Sequence, residues 1–192
     1  MLAGEMKMKK RIGLTLSFAL ILGGVGACTY EPKEAQPLQT VASIDLQRYL
    51  GRWYEIAKYP NWFQRKCISN TSAEYKLNLD GSVTVLNQCK REDGEFEKAN
   101  GIAHQIGNTN SPKLEVRFAP TWLSIFPFVW GDYWIIDLDK DYSLVAISEP
   151  RREYLWILSR TPTVNDEAYQ TLIKRLEAKG FDTAKLEQTS QR

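Results

Sequence analysis

The stretch "GRWYEIAKYP", Gly51 to Pro60, sets two large aromatics one residue after a glycine and places an acidic side chain inside what reads as a strand. Strand side chains alternate between faces. If Trp53 points into a closed core, Glu55, Ala57 and Tyr59 point there as well. A carboxylate in an apolar cup is expensive unless it is paired or protonated. Two readings stay open. Glu55 is a buried polar feature near the floor of what the strand encloses, or the strand is bulged and Glu55 is solvated or paired at a rim.

Outward from this stretch the period of two continues. "KLEVRF" alternates Leu114, Val116 and Phe118 with Lys113, Glu115 and Arg117, and Asp80-Gly81 between two alternating runs is a hairpin signal. Eight strands are expected, at roughly 53–59, 70–79, 82–90, 95–105, 112–119, 131–138, 142–148 and 154–160. The end of the chain changes period. Thr163 is the expected N-cap, Asp166 and Glu167 suit a first turn, and Tyr169, Leu172, Ile173 and Leu176 form one helical stripe ended by Gly180 and Phe181. The fold class is therefore all-β: an eight-stranded antiparallel up-and-down barrel with a C-terminal α-helix packed outside. Such a barrel has room inside for one small ligand.

Alternation assigns the inner wall to Tyr75, Val83, Val85, Asn87, Leu114, Val116, Phe118, Tyr133, Ile135, Trp156 and Leu158. Loops 60–69, 90–95, 119–131 and 149–153 share one rim, the mouth. The third of these carries Trp122, Phe126, Phe128 and Trp130. An exposed apolar loop of this kind marks a contact surface. It caps the mouth, touches a membrane, or pairs with a second copy of the chain as a homodimer.

The N-terminus is a separate matter. Lys7, Lys9, Lys10 and Arg11 precede an uncharged apolar run from Ile12 to Val25, the pattern of a secretory signal. "VGAC", Val25 to Cys28, resembles the cleavage box of bacterial lipoproteins. That resemblance implies a signal over 1–27, acylation of Cys28 and anchoring in a membrane. The absence of Asp after Cys28 implies the outer one. Residues 28–43 read as a tether, 44–186 as the domain and 187–192 as a tail. The chain's 25 basic and 23 acidic residues lose four and one with the leader, leaving 21 against 22. With no basic block interleaved with aromatics, nucleic-acid binding is not supported. Cys67 and Cys89 remain, and in an exported chain a disulfide between them is the natural reading. His104 is the only histidine, and no phosphate-cradling glycine loop is present, so neither a His-based metal site nor a catalytic triad is expected, and no cofactor.

Three motifs in order carry a family resemblance. "DLQRYLGRWYEIAKYP", "YWIIDLDKDYSLVAIS" and "YLWILSRTP" resemble the three signatures of the lipocalins, as found in bacterial outer-membrane lipoprotein lipocalins and the apolipoprotein D group, over about residues 44–186. The resemblance implies that Gly51, Trp53 and Arg160 are structural: Trp53 plugs the closed end of the barrel and Arg160 stacks across it. It also implies that Tyr75, Asn87, Phe118, Tyr133 and Trp156 line a ligand pocket, with Glu55 as a polar feature. The expected ligand is a fatty acid or lysophospholipid, stored or transported at the cell envelope by a barrel facing the periplasm. The chain reads as a binding protein, not an enzyme. The rivals are an enzyme on the same barrel and a structural envelope protein whose barrel is filled.

Overall fold

A computed structural model describes residues 36–120, 123 and 126–192. A single turn of helix, α1 (Leu46–Tyr49), leads into β1 (Gly51–Lys58). The strands β2 (Ser69–Leu77), β3 (Val83–Lys90), β4 (Phe96–Gln105), β5 (Lys113–Arg117), β6 (Gly131–Leu138), β7 (Leu144–Ser148) and β8 (Leu155–Ser159) follow, each antiparallel to the one before. β1 pairs with β8 on one edge and with β2 on the other, which closes an eight-stranded barrel. Helix α2 (Asp166–Ala178) lies outside it, and a two-residue strand, β9 (Glu187–Gln188), adds to β1.

The local rules explain most boundaries. Gly81 sits at φ +83° in the β2–β3 turn, where Asp80 Oδ1 accepts the Ser82 N–H at 3.0 Å. β7 starts at Leu144, two residues later than expected, because Asp139 accepts the N–H groups of Ser143 and Leu144 and holds a turn with Tyr142 at φ +59°. The N-cap of α2 is Asn165, not Thr163: its Oδ1 accepts the Ala168 N–H at 3.1 Å, and Asp166 and Glu167 then fall in the first turn as the dipole favours.

Two apolar layers result. One fills the barrel around Trp53, Tyr75, Val83, Val85, Leu114, Ile135, Val145, Ile147 and Leu158. The other lies between the outer wall and α2, from Ile56, Ala57, Tyr59, Ile136, Ala146, Leu155 and Ile157 to Leu172, Leu176 and Phe181. β7 is consequently buried on both faces. Arg175 ties the helix to β6 with two bonds of 2.8 Å to Asp137. Leu38 is buried in this outer layer, and the Val41 N–H donates to Ile135 O at 3.0 Å, so residues 38–43 of the expected tether lie against the domain.

Candidate functional site: a cup closed at one end

The floor is built first. Gly51 adopts φ +90°, a conformation that favours glycine, and a Cβ there would touch Arg160 Nη1 at 3.4 Å. Trp53 is fully buried, and its Nε1–H donates to Tyr49 O at 2.8 Å. The Arg160 guanidinium lies 4.0 Å from the Trp53 ring centroid and donates to the carbonyls of Arg48, Arg52 and Tyr142. One cation thus covers the indole face and satisfies backbone acceptors in α1, in β1 and in the turn between β6 and β7. The stacking contributes about 0.5–2 kcal/mol.

Beside Trp53 the closed end of the barrel is filled by tyrosines, Tyr49 at 5.1 Å between ring centroids and Tyr75 opposite Gly51. The hydroxyl of Tyr133 bonds those of Tyr49 at 2.6 Å and Tyr75 at 2.9 Å. Burial pushes the Tyr49 and Tyr133 hydroxyls well above the usual phenol range and that of Tyr75 up to about 12, so all three stay neutral. The space left beside them, against Leu46, Val83 and Leu114, is about 10 Å³. That is roughly enough for one water. Tyr49, Tyr75 and Tyr133 are therefore one hydrogen-bonded layer that helps to close this end of the barrel.

The mouth half differs. Residues on directly paired positions share a face. Asn87 pairs with Ala73 and Ala99, which places it inward with small residues on both sides. Phe118 lies over Gly101: a Cβ on that glycine would stand 2.8 Å from two carbons of the ring. Phe118 is 43 % exposed, and β4 is exposed on both faces from Phe96 to Asn100. The upper cup is thus open, with Ala99 and Phe118 on its wall. Trp156 is part-buried, stacks on Tyr154 and packs against Phe63 of the rim.

The first strand resolves the question about Glu55 with elements of both readings. β1 is bulged between Glu55 and Ala57 against β8. Glu55 pairs with Leu158 and faces inward, whereas Ala57 pairs with Ile157 and joins the layer under α2, as does Tyr59. The expectation that Ala57 and Tyr59 line the interior is corrected: the extra residue of the bulge inverts alternation beyond it. Lys58, opposite Trp156, takes the inward place. Glu55 is 2 % exposed and sits on the mouth side of Trp53, beneath the rim, rather than at the floor. Its Oε2 accepts from Gln64 Nε2 at 2.7 Å and its Oε1 from Thr189 Oγ1 at 2.6 Å. Burial raises its carboxyl above the ordinary range, against the lowering by these donors and by Lys58. Gln64 Oε1 in turn accepts the Trp156 Nε1–H at 3.0 Å and so orients that ring.

The tail completes this corner. Glu187 pairs with Lys58, and its carboxylate meets the ammonium at 3.0 Å, with the lysine side chain 13 % and the glutamate 59 % exposed. An ion pair with one partner in water contributes no more than about 1 kcal/mol. Gln191 Nε2 donates to Glu55 O and to Thr71 O, both at 2.8 Å, and so bridges β1 and β2 where they diverge. Sequence reasoning missed Tyr49, Lys58, Gln64, Thr189 and Gln191. The bulge leaves no mark in a period-two pattern, and the tail, "EQTSQR", has no apolar residue to announce that it docks.

Cys67 and Cys89 are joined by a disulfide, which ties the first rim loop to the end of β3. The aromatic rim loop does not enter the cup where it is described. Trp130 packs on the outer wall, 5.3 Å from the His104 ring and 5.2 Å from the Arg117 guanidinium. Phe126 and Phe128 stack on each other with Phe128 79 % exposed. Trp122 and Cys28 lie outside the described residues. Among the described residues no cluster suited to a metal ion occurs.

Comparison with known proteins agrees with this geometry. The model of the lipocalin-like domain matches residues 44–191. Temperature-induced lipocalin-1 of Arabidopsis thaliana is 40 % identical over 160 residues, covering 82 % of this chain and 85 % of the relative. The outer membrane lipoprotein Blc of Citrobacter freundii is 37 % identical over 163 residues, 84 % of this chain and 87 % of its own. Apolipoprotein D of Macaca fascicularis is 33 % identical over 175 residues, covering 87 % and 84 %. In fold, the structure of insecticyanin from Manduca sexta superposes with a TM-score of 0.65 over 84 % of this chain and 88 % of that one, at 18 % identity. With a family model spanning the whole barrel, relatives of this identity and a signature tryptophan and arginine stacked across its closed end, the chain belongs to the lipocalin family.

Proposed function

We propose that this lipocalin binds one single-chain lipid, a fatty acid or lysophospholipid, in the mouth half of its barrel and stores or transports it at the cell envelope. One observation carries the reading: an inward wall of Phe118, Trp156 and small residues is open to solvent above a floor closed by Trp53 and a layer of neutral tyrosines. Burying a methylene there gains about 0.8 kcal/mol, so an acyl chain is a fitting occupant. The ligand set is Phe118, Trp156 and Asn87 on the wall, Tyr75 and Tyr133 beneath, and Glu55 at the polar corner.

Acylation of Cys28 would anchor the chain in the outer membrane with the barrel facing the periplasm, a reading supported by the Blc relatives, which are named outer membrane lipoproteins. Aromatic rim residues such as Trp62 and Phe128 then suit contact with that membrane. A second reading, a structural protein with a filled barrel, is favoured by the tyrosine layer alone. Native mass spectrometry of the purified protein, with extraction of any bound lipid, separates the two. One lipid per barrel is expected; a ligand-free barrel that also fails to bind added oleate would favour the filled one. For the anchor, Cys28→Ser is expected to abolish palmitate labelling and membrane fractionation, and persistent labelling would refute it.

A further inference from the structure

Lys58 is a basic residue on the inner face of the mouth half, on a wall whose acidic members are the buried Glu55 and, further round, the exposed Glu97 opposite Cys89. It is there because of the bulge; in regular alternation with Trp53 and Glu55 it would point outward. Its cross-strand neighbours are Trp156 on β8 and Glu187 on β9. The nearby carboxylate Glu55 is nearly closed to solvent, and each of its oxygens is taken by a neutral donor, Gln64 or Thr189. The ion pair that Lys58 makes is with Glu187, the more exposed of the two acids, on a strand of two residues. A cation in the mouth is thus held by a carboxylate that can swing into water at little cost. Beside it stands the Trp156 ring, fixed by Gln64.

We propose that Lys58 is the head-group receptor of the cup: the anionic head of a single-chain amphiphile displaces Glu187 from its ammonium while the chain lies along Trp156. The proposal rests on the lipid-binding reading and names its ligand class. A carboxylate or a phosphate monoester has the required chemistry, since either forms a charge-assisted bond with an ammonium. From Lys58 down to Trp53 the strand runs roughly 16 Å. Trp53 and the tyrosines packed beside it close the lower end of that depth, so the head of a chain that reaches down to them is left at the mouth. No bond is made or broken; one ion pair is exchanged for another, and the Glu187 carboxylate passes into solvent. Glu187 is accordingly a built-in competitor, and the two residues should affect selectivity in opposite directions.

The test is the ratio of affinities for amphiphiles that share one chain. Oleate, oleoyl lysophosphatidate and neutral monoolein are titrated by Trp fluorescence against the mature chain, with near-ultraviolet circular dichroism to check each variant's fold. Wild type is expected to prefer the anionic pair over monoolein by about tenfold, and the tighter of the two names the head. Lys58→Met should bring the ratio to about one, Lys58→Arg should retain it, and Glu187→Gln should raise it a few-fold by removing the competitor. Should Lys58→Met fail to fold, the Glu187→Gln and Lys58→Arg arms still decide. A preference that survives Lys58→Met, or a ratio that falls in Glu187→Gln, overturns the assignment. Equal binding of all three lipids by wild type overturns the head-group assignment alone. Binding of none overturns the lipid reading itself, and the assignment with it.

Discussion

Removing the last four residues, Thr189–Arg192, tests how the barrel seam is held. The deletion costs six hydrogen bonds: Thr189 N–H to Ile56 O, Thr189 Oγ1 to Glu55, Gln191 Nε2 to Glu55 O and Thr71 O, Asn70 N–H to Ser190 O, and Arg192 N–H to Asn70 Oδ1. At a net 0.5–1.5 kcal/mol each, these contribute about 3–9 kcal/mol. Ordering four residues costs about 1–2 kcal/mol each in backbone entropy, with more for the Gln191 and Arg192 side chains. The two terms nearly cancel, so the truncated chain should lose no more than about 2 kcal/mol. That is a fall in Tm of about 4–8 °C for a domain of this size. The signature lies in the pH dependence. Burial holds the Glu55 carboxyl above its ordinary 4.5. A raised folded value adds stability below the ordinary one, and that stability is lost as pH rises through the raised one. Truncation removes the Thr189 hydroxyl, which lowers the carboxyl, but it also admits water, and because burial is the larger of the two effects the net change relaxes the shift. The lead of the full chain over the truncated one should therefore be greatest near pH 4 and shrink towards pH 8. Thermal unfolding of both chains across that range measures it. A fall of more than about 15 °C, or a lead that widens with rising pH, would refute the view of the tail as a marginal clasp over a buried acid.

Three further outcomes follow from the packing and the cup. Leu172→Ala should destabilise by about 2–5 kcal/mol in urea unfolding, because Leu172 is fully buried between α2 and the outer wall. Tyr133→Phe removes the hydroxyl that links Tyr49 and Tyr75 and leaves both without a shared partner, at a cost of about 1–3 kcal/mol by the same assay. Trp156→Ala should weaken oleate binding about tenfold or more, whereas Lys113→Ala, whose ammonium lies over Trp134, should not; equal losses would place the ligand outside the barrel.

Periodicity and turn chemistry alone were enough for the strands, for the hairpin at Asp80-Gly81 and for the apolar stripe of α2, because these are local and each is repeated over many residues. The roles of Gly51, Trp53 and Arg160 at a closed end were legible only through the resemblance of their motifs to the lipocalin signatures, and the structure joins tryptophan and arginine by stacking at 4.0 Å. Which residues face the ligand was only partly legible. Side-chain alternation carries a face assignment along a strand until one extra residue inverts it, and the extra residue in β1 is recognisable only against the register of β8. That single insertion moved Ala57 and Tyr59 under the helix and brought Lys58 into the mouth. The height at which a ligand can sit was likewise a tertiary outcome, since Tyr49 from α1, Tyr75 from β2 and Tyr133 from β6 meet through hydroxyls only when the barrel closes. The docking of the tail follows the same logic. Four of the six bonds run to backbone groups of β1 and β2 that diverge at the mouth, and a vacancy between two strands is a property of the closed sheet and has no residue of its own.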